Sequence, residues 1–133
     1  MKIFKFFKNK DTYDFASTWN SFIDEVCYRD LNDLNDIQRK AVIAFWYDAE
    51  MGSGGHGGYF DCYKDTDEEE LYNILKEIGN KEIADNYKRA IKEKEEDNLS
   101  LEVDLIYYRF NPSFDKYLQE YVKENIDKIL KKL

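Results

Sequence analysis

The segment QRKAVIAFWYDAE, residues 38–50, constrains the fold most because it is apolar on nearly every side of a helix. It contains the longest apolar run of the chain, AVIAFWY at 41–47. A helix with apolar side chains all round is surrounded by the rest of its domain. We therefore predict a central buried helix here, capped by Asn35 or Asp36 and ended at Gly52.

A first, amphipathic helix is predicted before this central one. Apolar residues between 15 and 27 recur at the i, i+4, i+7 spacing of one helix face. Asp11 or Thr12 can cap this helix at its N-terminus. We expect Trp46 of the central helix to be more buried than Trp19, because only the first helix has a polar face.

Two further helices are predicted to form a hairpin. After one or two helical turns at 59–63, Thr66 and Glu69 have the spacing of a capping box and predict a helix that ends at Gly79. The next helix begins near Asn80. Because the connection is so short, the two helices must fold back on each other.

The C-terminal third completes the expected fold. The segment LEVDLIYYRF at 101–110 suits either a strand or a short helix, and we favour the helix. Pro112 suits the first position of a last helix capped by Asn111. The sequence therefore predicts an all-α fold, a compact single-domain bundle of about five to six helices over 11–133. Residues 1–10 would form a basic N-terminal arm or a short strand.

Charge is distributed unevenly along the chain. The formal net charge is -8, and the first ten residues hold four lysines and no acid, so the remainder carries -12. An acidic field repels nucleic acid and anionic lipid and attracts basic protein surfaces. We expect a basic protein surface as partner, no direct binding of nucleic acid and no membrane span, since no apolar run approaches the roughly 20 residues that a span needs.

The two cysteines indicate a reducing compartment. Cys27 and Cys62 are each flanked by core-type residues and have no CxxC spacing. We expect two free, buried thiols in a cytoplasmic protein, and the N-terminus lacks the apolar region of a signal peptide.

A glycine-rich stretch surrounds the only histidine. Five of the six glycines fall between Gly52 and Gly58, around His56. The letters satisfy GxGxxG, but a dinucleotide fingerprint follows a strand, and here a helix precedes it. No lysine followed by Ser or Thr completes a phosphate-binding P-loop.

Two interpretations of this stretch remain. In the first, His56 joins a metal or acid-base centre. Its partners within reach along the chain would be Asp48, Glu50, Asp61 and Cys62. In the second, which we favour, the glycines permit positive φ and close helix contacts, and His56 or Asp61 binds loop amides. We accordingly expect no metal, no cofactor and no enzymatic activity.

The same stretch resembles the DNA mimic protein family of small bacterial helical domains. Asp48-Ala-Glu50 and the run from His56 to Tyr63 are similar to the family segment E-V-x-N-G-G-F-x-Q-Y-F. Further matches, in order, are Ile37-Gln38-Arg39, Leu75 to Gly79 for L-x-x-I-G, Ala90-Ile91 for A-I, and Asp104 with Tyr107 and Tyr108 for L-D-x-x-F-Y. The resemblance covers about 25–133 and marks as motif positions Glu50, His56, Gly57, Gly58, Tyr59 and Asp61.

The chain departs from the family pattern within this stretch. His56 replaces an asparagine, Asp61 replaces a glutamine, and additional glycines at 52–55 lengthen the segment. The family takes its name from an acidic member that imitates the phosphate charge of DNA and occupies the DNA-binding face of a transcription factor. The resemblance therefore implies that function for a divergent member.

Three functions follow from these observations. The first is a DNA mimic whose carboxylates oppose a basic protein face; the candidates are Asp33, Asp36, Asp67, Glu68, Glu69, Glu70, Glu95 and Glu96. The second is an immunity or antitoxin-like inhibitor of a basic toxin or nuclease. The third, which we rank last, is a metal-dependent enzyme centred on the glycine stretch.

Overall fold

Eight helical segments follow one another along the part of the chain that the structure describes, residues 15–130 of a computed structural model. They are α1 (residues 15–21, continued by a π-helical turn at Phe22–Val26), α2 (Asp36–Met51), α3 (Gly55–Cys62), α4 (Glu68–Ile74, continued by a π-helical turn at Leu75–Gly79), α5 (Lys81–Glu95), α6 (Glu102–Arg109), α7 (Phe114–Glu124) and α8 (Ile126–Ile129). A 3-10 turn at Leu31–Asp33 joins α1 to α2.

The all-α prediction is confirmed, and no strand occurs within these residues. The segments outnumber the five or six expected because the glycine stretch is itself helical and the last helix breaks at Asn125. The predicted basic arm at 1–10 and the Asp11 or Thr12 cap lie outside the described residues. Among those residues, no helix is long and apolar enough to cross a membrane.

Helix α2 lies at the centre of the bundle, as predicted, and packs against α3, α4, α7 and α8. Asn35 caps it in a reciprocal capping box, in which Asn35 accepts from the Gln38 amide and Gln38 accepts from the Asn35 amide. Its fully buried aromatic side chain is Tyr47. Burial on every side was predicted, and this is wrong: Ile43, Phe45 and Trp46 are only partly buried.

Trp19 and Trp46 are both partly buried, so neither tryptophan is enclosed in the core. Trp46 borders a surface cleft, and its indole Nε1 donates to the carbonyl oxygen of Cys27 at 2.9 Å. The helix is apolar on nearly every side in sequence, but the side that carries Trp46 lines a cleft and does not lie in the core.

Two predicted caps differ by one or two residues from those observed. Asp67, not Thr66, caps α4 by accepting from the Glu70 amide at 3.0 Å. Thr66 instead shares a hydrogen bond with the hydroxyl of Tyr59. Ser113 caps α7, so Pro112 and Asn111 precede this helix and do not begin it.

Helices α4 and α5 form the predicted hairpin. The π-helical continuation of α4 ends at Gly79, and α5 begins after Asn80. Asn80 caps α5 by accepting from the Ile83 amide. At the open end of the hairpin, Nζ of Lys94 lies 2.7 Å from Oε2 of Glu68. The start of α4 and the end of α5 therefore lie side by side.

Both cysteines are free, but only one is buried. Burial raises the pKa of the Cys27 thiol to about 12. Cys62 is exposed, which corrects the expectation of two buried thiols, because it is the last residue of α3 and faces outward there.

Candidate binding surface and the buried junction behind it

The glycine stretch folds as helix α3, which begins at Gly55 and extends the short helical segment expected at 59–63. Gly55 has a φ of 66°, a backbone conformation that favours glycine. A Cβ at Gly55 would overlap the carboxylate of Asp104. A Cβ at Gly54 or Gly58 would lie 3.0 or 2.8 Å from Oε1 of Glu50. These three glycines thus make room for two carboxylates.

His56 is fully buried and joins three helices. Its Nε2 lies 2.6 Å from the hydroxyl of Tyr47 on α2, and its Nδ1 lies 2.8 Å from Oδ1 of Asp104 on α6. The same Asp104 oxygen accepts from the His56 backbone amide at 2.9 Å. Because a carboxylate oxygen accepts here, Nδ1 carries the proton and Nε2 accepts from the Tyr47 hydroxyl.

Two tyrosines of α6 also connect this helix to α2. Tyr107 donates to the carboxylate of Asp48, and Tyr108 donates to the backbone carbonyl of Met51. Burial raises the pKa of Asp48 despite the hydrogen bond from Tyr107, which lowers it. We call Tyr47, Asp48, His56, Asp104 and Tyr107 the buried junction.

The buried junction is shielded from substrates at its tyrosine end. Tyr47 is fully buried, and burial raises its pKa well above the usual value. Burial also lowers the pKa of His56, against the opposing effect of Asp104. A neutral histidine between a buried hydroxyl and a carboxylate joins the helices that carry these groups.

The candidate metal ligands named from the sequence do not lie together around His56. Asp48 is bound by Tyr107, and Glu50 lies along Gly54 and Gly58. Asp61 and Cys62 are exposed at the end of α3. Within residues 15–130, no three His, Cys, Asp or Glu side chains are grouped as metal ligands would be.

Sequence reasoning quoted Asp104, Tyr107 and Tyr108 as a motif but missed their contacts with α2 and α3. The signal was their spacing: residues at i, i+3 and i+4 share one helix face. That face of α6 lies against α2 and α3: Asp104 accepts a hydrogen bond from His56, and Tyr107 and Tyr108 donate to α2.

The predicted carboxylates form three groups along the chain, at 33–36, 67–70 and 95–96, and the last two groups meet at the open end of the α4–α5 hairpin. The ion pair between Glu68 and Lys94 brings the start of α4 next to the end of α5. We call this surface the hairpin end; its carboxylates are Asp65, Asp67, Glu68, Glu69, Glu95, Glu96 and Asp97. The structure therefore joins segments that are 25 residues or more apart in sequence.

Some of the predicted carboxylates are already engaged within the domain. Arg39 donates two hydrogen bonds to Glu70, at 2.7 and 2.9 Å. Glu68 pairs with Lys94, and Asp36 lies 3.4 Å from Nζ of Lys40. By contrast, several carboxylates form no ion pair with another described residue; they are Asp33, Asp67, Glu69, Glu95 and Glu96.

A cleft of about 220 Å³ borders the hairpin end, between α2 and the connection from α3 to α4. Trp46 and Tyr63 line it together with Asp65 and Asp67. Arg29, Arg39 and Glu70 also line it. Tyr28 is 71% exposed, and its ring stands edge-on to that of Trp46 with 5.2 Å between the ring centroids. We call this the aromatic cleft.

Comparison with known proteins gives one match. No curated protein and no solved structure matches the chain. The family described as DMP19-like protein matches residues 32–133, which include α2 to α8, the buried junction and the hairpin end. Because the match covers most of the sequence, the chain belongs to the DMP19-like protein family.

Proposed function

We propose that this protein is a cytoplasmic acidic protein-binding domain that acts as a DNA mimic, with the hairpin end placed against the basic face of a DNA-binding protein. The observation that carries the proposal is the convergence of α4 and α5, which gathers at one end of the domain several carboxylates that form no ion pair within residues 15–130. Glu69, Glu95 and Glu96 are exposed and form no such pair with another described residue, and the same holds for Asp65, Asp67 and Asp97.

The charge balance of the described residues supports this proposal. Asp and Glu outnumber Lys and Arg by twelve within residues 15–130. A basic DNA-binding face is complementary to dense negative charge, and it releases its counterions to a carboxylate surface as it does to phosphates. Membership of the DMP19-like family supports it too, since the sequence resembles the DNA mimic proteins. Under this proposal the domain recognises its partner and carries out no reaction.

The test begins with a partner recovered from cell extract on the immobilised domain. Its binding is measured at low and high salt and with duplex DNA as competitor. We expect affinity to fall steeply with salt and DNA to compete for the same face. A partner whose affinity is unchanged by salt and by competing DNA would contradict the proposal.

A matched pair of variants locates the surface. The triple variant Glu69→Gln, Glu95→Gln, Glu96→Gln should slow association, because long-range attraction acts mainly on the association rate. The control removes the same charge at exposed positions of α7 and α8: Glu120→Gln, Glu124→Gln, Asp127→Asn. An equal effect from both would indicate a dependence on net charge and not on the hairpin end.

The aromatic cleft favours a second candidate, an inhibitor of a basic toxin or nuclease. Tight protein interfaces concentrate their binding energy in tyrosine and tryptophan side chains. Trp46 lines the cleft together with Asp65 and Asp67, and the exposed ring of Tyr28 contacts Trp46. For an inhibitor, Tyr28→Ala should accelerate dissociation, and the domain should block nuclease activity. For a mimic of DNA, the carboxylates should dominate and Tyr28→Ala should have little effect.

A further inference from the structure

A second pocket, of about 200 Å³, lies between α3, α4 and α5 at the hairpin end. Its lining residues are Tyr59, Phe60, Tyr63, Lys64, Thr66, Glu68, Tyr87 and Lys94. It shares Tyr59, Tyr63 and Thr66 with the aromatic cleft, so the two cavities border the same connection. Its volume is several times the roughly 30 Å³ of a single water molecule. We call it the Tyr87 pocket.

Tyr87, which lines this pocket, carries an unusual hydroxyl. Tyr87 is fully buried, and its hydroxyl has no hydrogen-bond partner among residues 15–130. Buried polar atoms are nearly always paired, so an unpaired one suggests a missing partner. The neighbouring hydroxyl of Tyr59 does not fill that role, since it is bonded to Thr66 at 3.0 Å.

The surroundings of this hydroxyl favour a cationic donor. The carboxylate of Glu68 lines the same pocket as Tyr87. Burial raises the pKa of Tyr87, and this carboxylate and that of Asp67 raise it further. A carboxylate attracts a positively charged N–H donor more strongly than a neutral one.

The pocket already holds one cation, the chain's own Lys94. Its Nζ lies 4.3 Å from the centroid of the Phe60 ring and 2.7 Å from Oε2 of Glu68. An aromatic face beside a carboxylate is a typical cation site. Lys94 is itself more than a third exposed and leaves the Tyr87 hydroxyl unpaired. Lys94 therefore occupies the cation site but forms no hydrogen bond with the Tyr87 hydroxyl.

We propose that the Tyr87 pocket receives an arginine side chain of the basic protein partner, in exchange for Lys94. A guanidinium is planar and has five N–H donors, so it can stack on Phe60, bond both oxygens of Glu68 and still donate to Tyr87. Lysine lacks this geometry. This inference rests on the proposed function, because it names the side chain that a basic partner inserts at the hairpin end.

The test uses a small probe and needs no identified partner. N-acetyl-arginine amide is titrated into the intact protein, and the ring resonances of Tyr87 and Phe60 are followed by NMR. N-acetyl-citrulline amide, which has the same shape without the charge, is the matched control. We expect saturable shifts with the arginine probe only. Equal binding of the citrulline probe would overturn the proposal.

Two variants test the exchange with Lys94. Lys94→Met removes the resident cation and should tighten arginine binding about fivefold, the equivalent of roughly 1 kcal/mol. Lys92→Met makes the same change in net charge at an exposed position of the same helix turn, and should have a smaller effect. Equal tightening by both variants would mean that only net charge matters and would overturn the exchange.

A third variant tests the hydroxyl. Tyr87→Phe keeps the ring in the core and should weaken arginine binding several-fold; unchanged binding would show that the hydroxyl is not involved. These results are separable from the proposed function. Salt-dependent partner binding without an arginine site would remove only this inference, whereas an arginine site with a salt-independent partner would remove the DNA mimic.

Discussion

The hydroxyl of Tyr47 lies 2.6 Å from Nε2 of His56, and both side chains are fully buried. On the other side of the imidazole ring, Asp104 accepts from Nδ1. The histidine thus connects α2, α3 and α6 while remaining out of contact with solvent. Its role in holding the fold together can be tested through its protonation.

Stability should fall as pH decreases below about 6.5, in part because of His56. Burial lowers the pKa of His56 in the folded state relative to 6.5, so the unfolded chain binds the proton more readily. The unfolded state then gains protons between 6.5 and the lowered pKa, and the free energy of unfolding decreases through that window. Chemical denaturation at a series of pH values would measure it.

His56→Gln is the control, since it removes the titrating imidazole and keeps a polar side chain at this position. The slope of stability against pH between about 5 and 7 should be shallower in this variant. Asp48 acts in the opposite sense, because its raised pKa makes the folded state favour the proton at low pH. Parallel slopes for the two proteins would contradict the role assigned to His56.

Gly55→Ala should be strongly destabilising, because it places a Cβ at positive φ and against the Asp104 carboxylate. We expect a loss of about 2 kcal/mol or more. Gly57→Ala is the matched control within the same helix. Its Cβ would meet only Leu99, at 3.8 Å, so it should be neutral or stabilise by about 0.5 to 1 kcal/mol. Equal losses in thermal melting would count against this distinction.

Truncation of the two neighbouring aromatic residues of α2 should have unequal effects. Tyr47→Ala should cost about 3 to 5 kcal/mol or prevent folding, because the side chain is fully buried. Trp46→Ala should cost less, roughly 1 to 2 kcal/mol, because it is partly buried and loses one hydrogen bond to Cys27. Quenching of Trp46 fluorescence by acrylamide should be detectable in the native state. A fully protected Trp46 would refute the exposed aromatic cleft.

Glu70 and Glu69 are adjacent, but their neutralisation should differ. Glu70→Gln breaks a bidentate, partly buried pair with Arg39 and should lower the free energy of unfolding by about 1 kcal/mol. Glu69→Gln removes a carboxylate without an ion pair among the described residues and should leave stability unchanged. Urea denaturation of both variants measures the difference; equal losses would show that the Arg39 contact contributes little.

Local sequence patterns predicted the elements that depend on neighbouring residues. Asn35 and Gln38 form their capping box because both partners are three positions apart. Each residue of Asp65-Thr66-Asp67 is of a type that can cap a helix. The backbone conformation places Asp67, and not Thr66, at the cap position. A pattern of residue types cannot resolve such a difference of one position.

Long-range pairings were beyond sequence reasoning. His56 and Asp104 are 48 positions apart, and nothing in either segment alone states that α6 lies over α3. Similarly, Trp46 is part of an apolar run, and only packing decides which flank of α2 remains open. The meeting of the acidic segments was accessible in principle, because it follows from the short α4–α5 connection.

That connection also affects how the molecule turns in solution. Because α4 and α5 fold back on each other, carboxylates at the start of one and the end of the other share one end of the domain. An asymmetric charge distribution experiences a torque in the field of a basic surface. Under the proposed function the domain would rotate toward a basic partner before touching it, and the single residue between the two helices, Asn80, would set the fraction of collisions that begin in the right orientation.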